Sequence, residues 1–230
     1  VTASRSLEGT STFCVPTGNF GNVLAGWIAR RMGAPVADFI VASNSNDILT
    51  RFINDADMSA RDVVPTLSPS MDIQVSSNFE RLLFEVLGRD GTAVCRLMDD
   101  LKSGSFSLDE TALTAIRRDF AAGRADEKET AETMREIFER TGRLVDPHTA
   151  VGLSVARRFV EPEIPMITLA TAHPAKFPAA VRAATGQDPA LPENMGDLMT
   201  RPEAFTSIAN DQGAVESFIA GHTRAQLEKA

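Results

Sequence analysis

The sequence predicts an α/β protein whose parallel sheet is flanked by helices. Short apolar, β-rich runs at Ser11–Val15 and Asp38–Ala42 bracket a helical pattern at Asn22–Met32. Strand, helix and strand in that order form a βαβ unit, which demands parallel pairing and a right-handed crossover. The same alternation returns near the other end, with a helical pattern at Pro147–Phe159 followed by an apolar run at Met166–Ala170. A length of 230 residues, 43% of them hydrophobic and 23% charged, is that of a globular chain able to bury one large core.

Each element has a local cause. Gly33 closes the first helix after Met32, and Asp47 opens a second one. Asn78, an N-cap type, starts a third, whose Phe79, Leu82, Leu83 and Val86 recur at helical spacing up to Gly88. From Thr92 to Thr141 charge becomes dense, above all over Asp126–Arg140, with apolar residues at helical spacing between. That pattern predicts amphipathic helices with one solvated face. The α/β pattern then resumes with the Pro147–Phe159 helix, a buried strand at Met166–Ala170 and a helix at Pro174–Ala184. A Pro/Asn/Gly-rich passage at Asp188–Gly196 leads to a last helix from Asp211 onward. The expected organisation is one α/β domain built from residues 1–91 and 142–230, with 92–141 as a helical excursion within it.

Composition narrows the function classes. Twenty-three basic residues against 31 acidic ones give a net charge of −8, which disfavours non-specific nucleic-acid or anionic-membrane binding. No apolar run approaches the roughly 20 residues of a membrane span. Two cysteines, Cys14 and Cys95, make no disulfide scaffold, so a reducing cytoplasm is the expected compartment. Neither they nor His148, His173 and His222 show metal-ligand spacing, and no metal is expected. The chain starts at Val1 without a basic, then apolar, leader, which reads as a piece of something longer.

The most informative segment is Val15-Pro16-Thr17-Gly18-Asn19-Phe20-Gly21-Asn22, between a strand and a helix. Its two glycines can take positive φ and let backbone approach a ligand closely. The helix that follows offers unpaired N–H groups and the positive end of its dipole to a phosphate. The same residues also suit a tight βα turn with Asn22 as an ordinary N-cap, and composition alone does not separate the two. A Walker A loop needs a lysine, and none is near. A dinucleotide fingerprint needs a third glycine and an acidic residue after the second strand, where Ser43-Asn44-Ser45-Asn46 stands instead. A small phosphorylated cofactor fits better.

This loop resembles the pyridoxal-phosphate loop of the bacterial and fungal threonine synthases. Four further strings carry the resemblance in the expected order: Ser43-Asn44-Ser45-Asn46-Asp47-Ile48-Leu49, Ser68–Ile73 running into Ser76–Arg81, Asp146-Pro147-His148-Thr149-Ala150, and Thr171-Ala172-His173-Pro174-Ala175-Lys176-Phe177. The resemblance implies a fold-type II pyridoxal-phosphate lyase, related to the tryptophan synthase β subunit. It would convert O-phospho-L-homoserine and water to L-threonine and phosphate, the last step of threonine biosynthesis. It also implies that Gly18, Asn19, Phe20, Gly21 and Asn22 hold the cofactor phosphate, while Thr171 faces the pyridine nitrogen. Another fold-type II lyase, such as a threonine dehydratase, would show a different glycine-rich loop. A non-catalytic, threonine-synthase-like phosphate-binding protein is the alternative from another class.

The remaining candidates divide between chemistry and local structure. Thr171 could instead cap the helix that Pro174 opens, the cofactor role being favoured because of the resemblance. His173 suits either acid–base work or a bond to loop backbone, the second being favoured. Asp146 and Pro147 form an N-cap and first-turn pair that accounts for the run before His148 without chemistry. Ser76, Ser77 and Asn78, with Arg81 nearby, could form a second anion site for the substrate phosphate or simply cap a helix. Of the four lysines, Lys102 and Lys128 fall in the charged excursion, Lys229 is penultimate and Lys176 follows the pyridine-facing position. In the family the Schiff-base lysine comes from the N-terminal part. No catalytic lysine is therefore assigned here, and the chain is expected to be the C-terminal portion of such an enzyme, its partner being that missing part.

Overall fold

Residues 9–223 are described, by a computed structural model. Strands β1 (Ser11–Pro16), β2 (Val36–Ser43), β5 (Phe120–Arg124) and β6 (Met166–Thr168) form a parallel sheet in the order β5-β2-β1-β6. The first crossover helix is α1 (Gly21–Arg31). Side chains alternate between the two faces of a strand, and here both faces are covered. Val15, Phe39, Val41 and Phe120 pack toward α1, α2 (Ile48–Asp55), α3 (Phe79–Val86) and α5 (Glu110–Asp119). Cys14, Ile40 and Ala42 pack on the other side against Val151 and Val155 of α7 (Pro147–Ala156).

The approach of α7 to the sheet depends on two glycines. A Cβ on Gly152 would stand 2.8 Å from Thr168 Cγ2, and one on Gly123 would stand 2.8 Å from Val155 Cγ1. Cys14 Sγ donates to Gly152 O at 3.2 Å through this contact, and burial pushes its thiol pKa up to about 12.

Several elements differ from the sequence expectation. The stretch 92–141 is not a purely helical excursion. Between α4 (Gly91–Lys102), α5 and α6 (Glu127–Thr141) it contributes β5, which pairs in register with β2 from Phe39↔Phe120 to Ser43↔Arg124. It also contributes β4 (Ser105–Phe106), antiparallel to β3 (Met58–Ser59). The β5 sequence, Phe-Ala-Ala-Gly-Arg, has little β propensity, and only its neighbour makes it a strand. The expected buried strand at Met166–Ala170 is a three-residue, half-buried edge strand, because among the described residues β1 is its single neighbour. The expected helix at Pro174–Ala184 is broken in two. A 3₁₀ turn at Pro174–Lys176 ends at Phe177 (φ −131°, ψ 52°), and α8 (Pro178–Thr185) follows. Pro178 forces this break, because a residue before proline is pushed out of the helical region. The α7 helix stops at Ala156, short of Phe159.

The chain divides into two compact units, the first ending at Ala190 and the second beginning at Leu191. Within the second, a 3₁₀ turn (Glu193–Met195) and α9 (Gln212–Gly221) bury no residue. Among the described residues, no helix is long and apolar enough to cross a membrane, and no cluster of His, Cys, Asp and Glu could hold a metal ion. Lys229 lies outside the described residues.

Candidate functional site

The Gly18–Asn22 loop, expected from the sequence to hold a phosphate, lies at the carboxyl end of β1, where α/β sheets collect ligands. Thr17 N donates to Ala42 O at 3.0 Å, and its Oγ1 accepts from Phe20 N at 3.0 Å. Phe20, not a glycine, takes the left-handed conformation (φ 62°, ψ 6°) at the N-cap of α1. Gly18 and Gly21 both have ordinary φ, which corrects the expectation that they supply positive φ. Phe20 is held there because its ring is fully buried, edge-on to Phe79 at 5.2 Å and against Phe120 at 5.7 Å. The ring therefore anchors the loop in the core while Gly21 and Asn22 stay exposed.

Gly18 serves close approach instead. A Cβ there would lie 3.1 Å from Met71 Cα, Ser70 O and Ile73 Cδ1. The loop's carbonyls are tied from behind: Ser76 Oγ donates to Gly18 O at 2.8 Å, and Asn78 donates to Asn19 O from N (3.1 Å) and Nδ2 (2.9 Å). A trans peptide with its carbonyl bound on one side turns the next N–H to the other, which for Gly18 O turns out Asn19 N, while Phe20 N, after Asn19 O, is already taken by Thr17 Oγ1. The α1 N-terminus carries neither a side-chain cap bond nor an acidic residue in its first turn, so Asn22 is not the N-cap. Leu24 is the first helical residue whose N–H returns to the chain, reaching Phe20 O at 2.9 Å. The preceding N–H groups and the helix dipole thus remain for an anion.

A cavity of about 250 Å³ opens in front of these groups, lined by Thr17, Gly18, Asn19, Gly21, Asn22, Ser70, Met71, His148, Thr171 and Lys176. The structure therefore brings Thr171 to the phosphate loop from 150 residues away, three residues past β6. Phe20 does not line the cavity. Ser76, Ser77 and Asn78 direct their polar groups at the loop itself, Ser77 Oγ reaching Asn19 Oδ1 at 3.2 Å. Arg81 does not line this cavity: its Nη1 donates to Ser77 O at 3.0 Å, and it borders a different cavity of about 470 Å³ between α1 and α3, with Trp27, Arg31 and Glu85. Arg31 there lies 4.8 Å over the Trp27 ring and 2.7 Å from Glu85, so this cavity shares no residue with the phosphate loop. His173 is exposed and accepts from Ala175 N at 3.2 Å, the backbone role that the sequence reading favoured.

Sequence reasoning gave His148 no part in the site, yet the structure buries it at the cavity wall. Its Nδ1 lies 2.9 Å from Asp146 Oδ1, its Nε2 faces Ser70 N at 3.3 Å, and its ring centroid is 4.7 Å from that of Phe177. Burial pushes the Asp146 carboxyl up, but bonds from His148 and Thr149 outweigh it and hold the group below the ordinary carboxylate value. The available signal was the Asp-Pro-His-Thr run, whose carboxylate can cap a helix and hold an imidazole at once.

Lys102 pairs with Asp99 at 2.8 Å and Lys128 with Glu132 at 3.9 Å, both on exposed helix faces. Among the described residues, Lys176 is the lysine that lines this cavity.

Residues 149–219 match a family model described as threonine synthase, C-terminal. The threonine synthase of Pseudomonas aeruginosa is 47% identical over 213 residues, which cover 91% of this chain and 45% of that protein. A solved PLP-bound threonine synthase from Brucella melitensis superposes with a TM-score of 0.84 at 50% identity, covering 96% of this chain and 48% of that one. The yeast threonine synthase structure gives a TM-score of 0.78 at 35% identity over the same shares. The chain thus spans about half the length of the relatives it matches, and it has the α/β fold of their structures.

Proposed function

We propose that this chain, which belongs with the threonine synthases over the roughly half of their length that it spans, supplies the phosphate-binding and ring-facing side of a pyridoxal 5′-phosphate site. One observation carries the reading: an uncapped helix N-terminus lies at the cavity that Gly18, Asn19, Gly21, Asn22 and Thr171 line together. These residues fit the cofactor. The tied-back carbonyls, the open first turn of α1 and the Asn19 and Asn22 side chains form an acceptor-poor, donor-rich cradle of the kind a phosphate dianion needs. Among the described residues, no carboxylate lines the cavity to oppose that charge.

When bound, pyridoxal phosphate supplies an electron sink for bond breaking at the substrate's amino-acid carbons. The residues of this chain bind and orient it. Gly18, Asn19, Gly21 and Asn22 take the phosphate, and Phe20 holds their loop in place from the core. Thr171 presents a neutral hydroxyl to the ring nitrogen, which leaves that nitrogen largely unprotonated, whereas a carboxylate would keep a proton there. A milder sink suits elimination and replacement better than transamination. Ser76, Ser77 and Asn78 act as supports of the loop. We assign the complete protein the conversion of O-phospho-L-homoserine and water to L-threonine and phosphate, in the cytoplasm. None of the lysines here is given the Schiff-base role.

The test is Gly21→Val. Gly21 lines the cavity, has ordinary φ, and an added Cβ meets nothing closer than Asn78 Nδ2 at 3.5 Å, so the variant is expected to fold while its branched side chain hinders close approach of a phosphate to the loop backbone. Pyridoxal phosphate affinity, read by equilibrium dialysis, is expected to fall at least tenfold with the unfolding midpoint retained, where tenfold corresponds to about 1.4 kcal/mol. Unchanged affinity would overturn the assignment.

A further inference from the structure

We propose that His148 is a positioning residue of this cavity, locking its Ser70 wall against the phosphate loop; the proposal rests on the cofactor reading above. Asp146 is fully buried and its Oδ1 lies 2.9 Å from His148 Nδ1. An ionised carboxylate only accepts, so Nδ1 carries a proton. The other ring nitrogen, Nε2, faces the Ser70 N–H at 3.3 Å. A backbone amide only donates, so Nε2 must be bare, and the ring is neutral in a single tautomer. Both partners are fixed groups, and Asp146 is itself held by His148 N and Thr149 N as the cap of α7.

What this bond holds is the contact surface of Gly18. Ser70 O and Met71 Cα lie 3.1 Å from the place of a Gly18 Cβ, so the Ser70–Met71 backbone and the phosphate loop touch without slack. The segment is fastened at its far end as well. Asp72 Oδ1 accepts from Asn44 Nδ2 at 2.8 Å and Asn46 Nδ2 at 3.0 Å, both just beyond β2. His148 fastens the end nearer the cavity, and its ring also packs on Phe177 at 4.7 Å, in the segment that carries Thr171. Residues near 70, 148 and 177 are thereby joined at one imidazole. It moves no proton in this role. Its contribution is to keep the phosphate side and the ring-facing side of the cavity at one fixed separation.

The test compares the protein with His148→Phe, which keeps a ring on Phe177 but cannot accept from Ser70, and with His148→Gln, whose amide oxygen can. Three quantities are read: Ser70 amide hydrogen exchange, pyridoxal phosphate affinity by equilibrium dialysis, and the unfolding midpoint. In His148→Phe, Ser70 exchange is expected to accelerate at least tenfold and affinity to fall at least tenfold, while His148→Gln stays within threefold of the parent in both. Ser70 protection or affinity unchanged in His148→Phe overturns the proposal alone. A parent that binds no pyridoxal phosphate overturns the cofactor reading and the proposal with it. Should His148→Phe fail to fold, histidine-ring ¹⁵N resonances of the parent decide: a neutral ring protonated at Nδ1 supports the proposal, and a proton on Nε2 at neutral pH overturns it.

Discussion

Phe20 takes a backbone conformation that costs an L-residue roughly 1–2 kcal/mol, and its ring repays that cost by filling the core against Phe79 and Phe120. Phe20→Ala keeps the strained φ and loses the packing, a loss of about 3–5 kcal/mol. Phe20→Gly loses the same packing but relieves the strain, and is expected to be more stable than Phe20→Ala by about 1 kcal/mol in urea unfolding. Equal stabilities would show that φ 62° is unstrained here. The Asp146 carboxyl has its folded pKa below the unfolded one, so its stabilisation is present above the ordinary carboxylate range and is lost as pH falls through the folded value. Unfolding free energy should therefore drop below about pH 4, and Asp146→Asn should flatten that drop. At Thr171, replacement by Ala should lower turnover of the loaded, complete enzyme more than it lowers cofactor affinity, because the phosphate carries the binding. Equal activity would remove the ring-facing role. The Thr17–Asn22 and Thr171 strings stood out in the sequence, and the structure brings them to one cavity, whereas the strain at Phe20 was not legible, since glycine is the residue expected to turn a chain there.

At the scale of elements, glycine has opposite value in two helices. Gly152 sits in α7 where helix propensity alone predicts that alanine stabilises, yet its Cβ would lie 2.8 Å from Thr168 Cγ2 and 3.1 Å from Pro16 Cδ. Overpacking of that kind costs about 1–3 kcal/mol, so Gly152→Ala is expected to lower the unfolding free energy. Gly91 opens α4 with no atom within 4 Å of an added Cβ, and its φ is ordinary. Gly91→Ala should raise the unfolding free energy by about 0.4–1 kcal/mol through the unfolded chain. Both signs are read from denaturant midpoints, and a stabilised Gly152→Ala would contradict the tight α7 contact. The start of α7 was readable because capping is local, Asp146 accepting from His148 N and Thr149 N, whereas Asp47 and Asn78 open their helices without a side-chain cap bond. The interruption at Phe177 was readable in principle from Pro178. Strand β5 was not, because Ala121, Ala122 and Gly123 pair with β2 without any β-forming composition of their own.

For the whole molecule, the division at Ala190–Leu191 separates a part with a continuous core from one whose described residues are nearly all exposed. Exposed backbone outside regular structure is where proteases cut first. Limited chymotrypsin digestion is expected to cleave earliest after Phe205, which is 79% exposed, while the buried Phe39, Phe52 and Phe79 resist. Early cuts within the first unit would contradict that contrast. By itself the sequence determined the βαβ alternation, the Asp146 cap of α7 and the loop between β1 and α1, because periodicity, capping and turn chemistry act between neighbours a few positions apart. Only the tertiary structure decided that β5 enters the sheet, that β6 stays a half-buried edge, and that Ser70, His148 and Phe177 meet beside Gly18. Those outcomes depend on which distant segment supplies the hydrogen bond or the packed surface, and no local pattern records the identity of that partner.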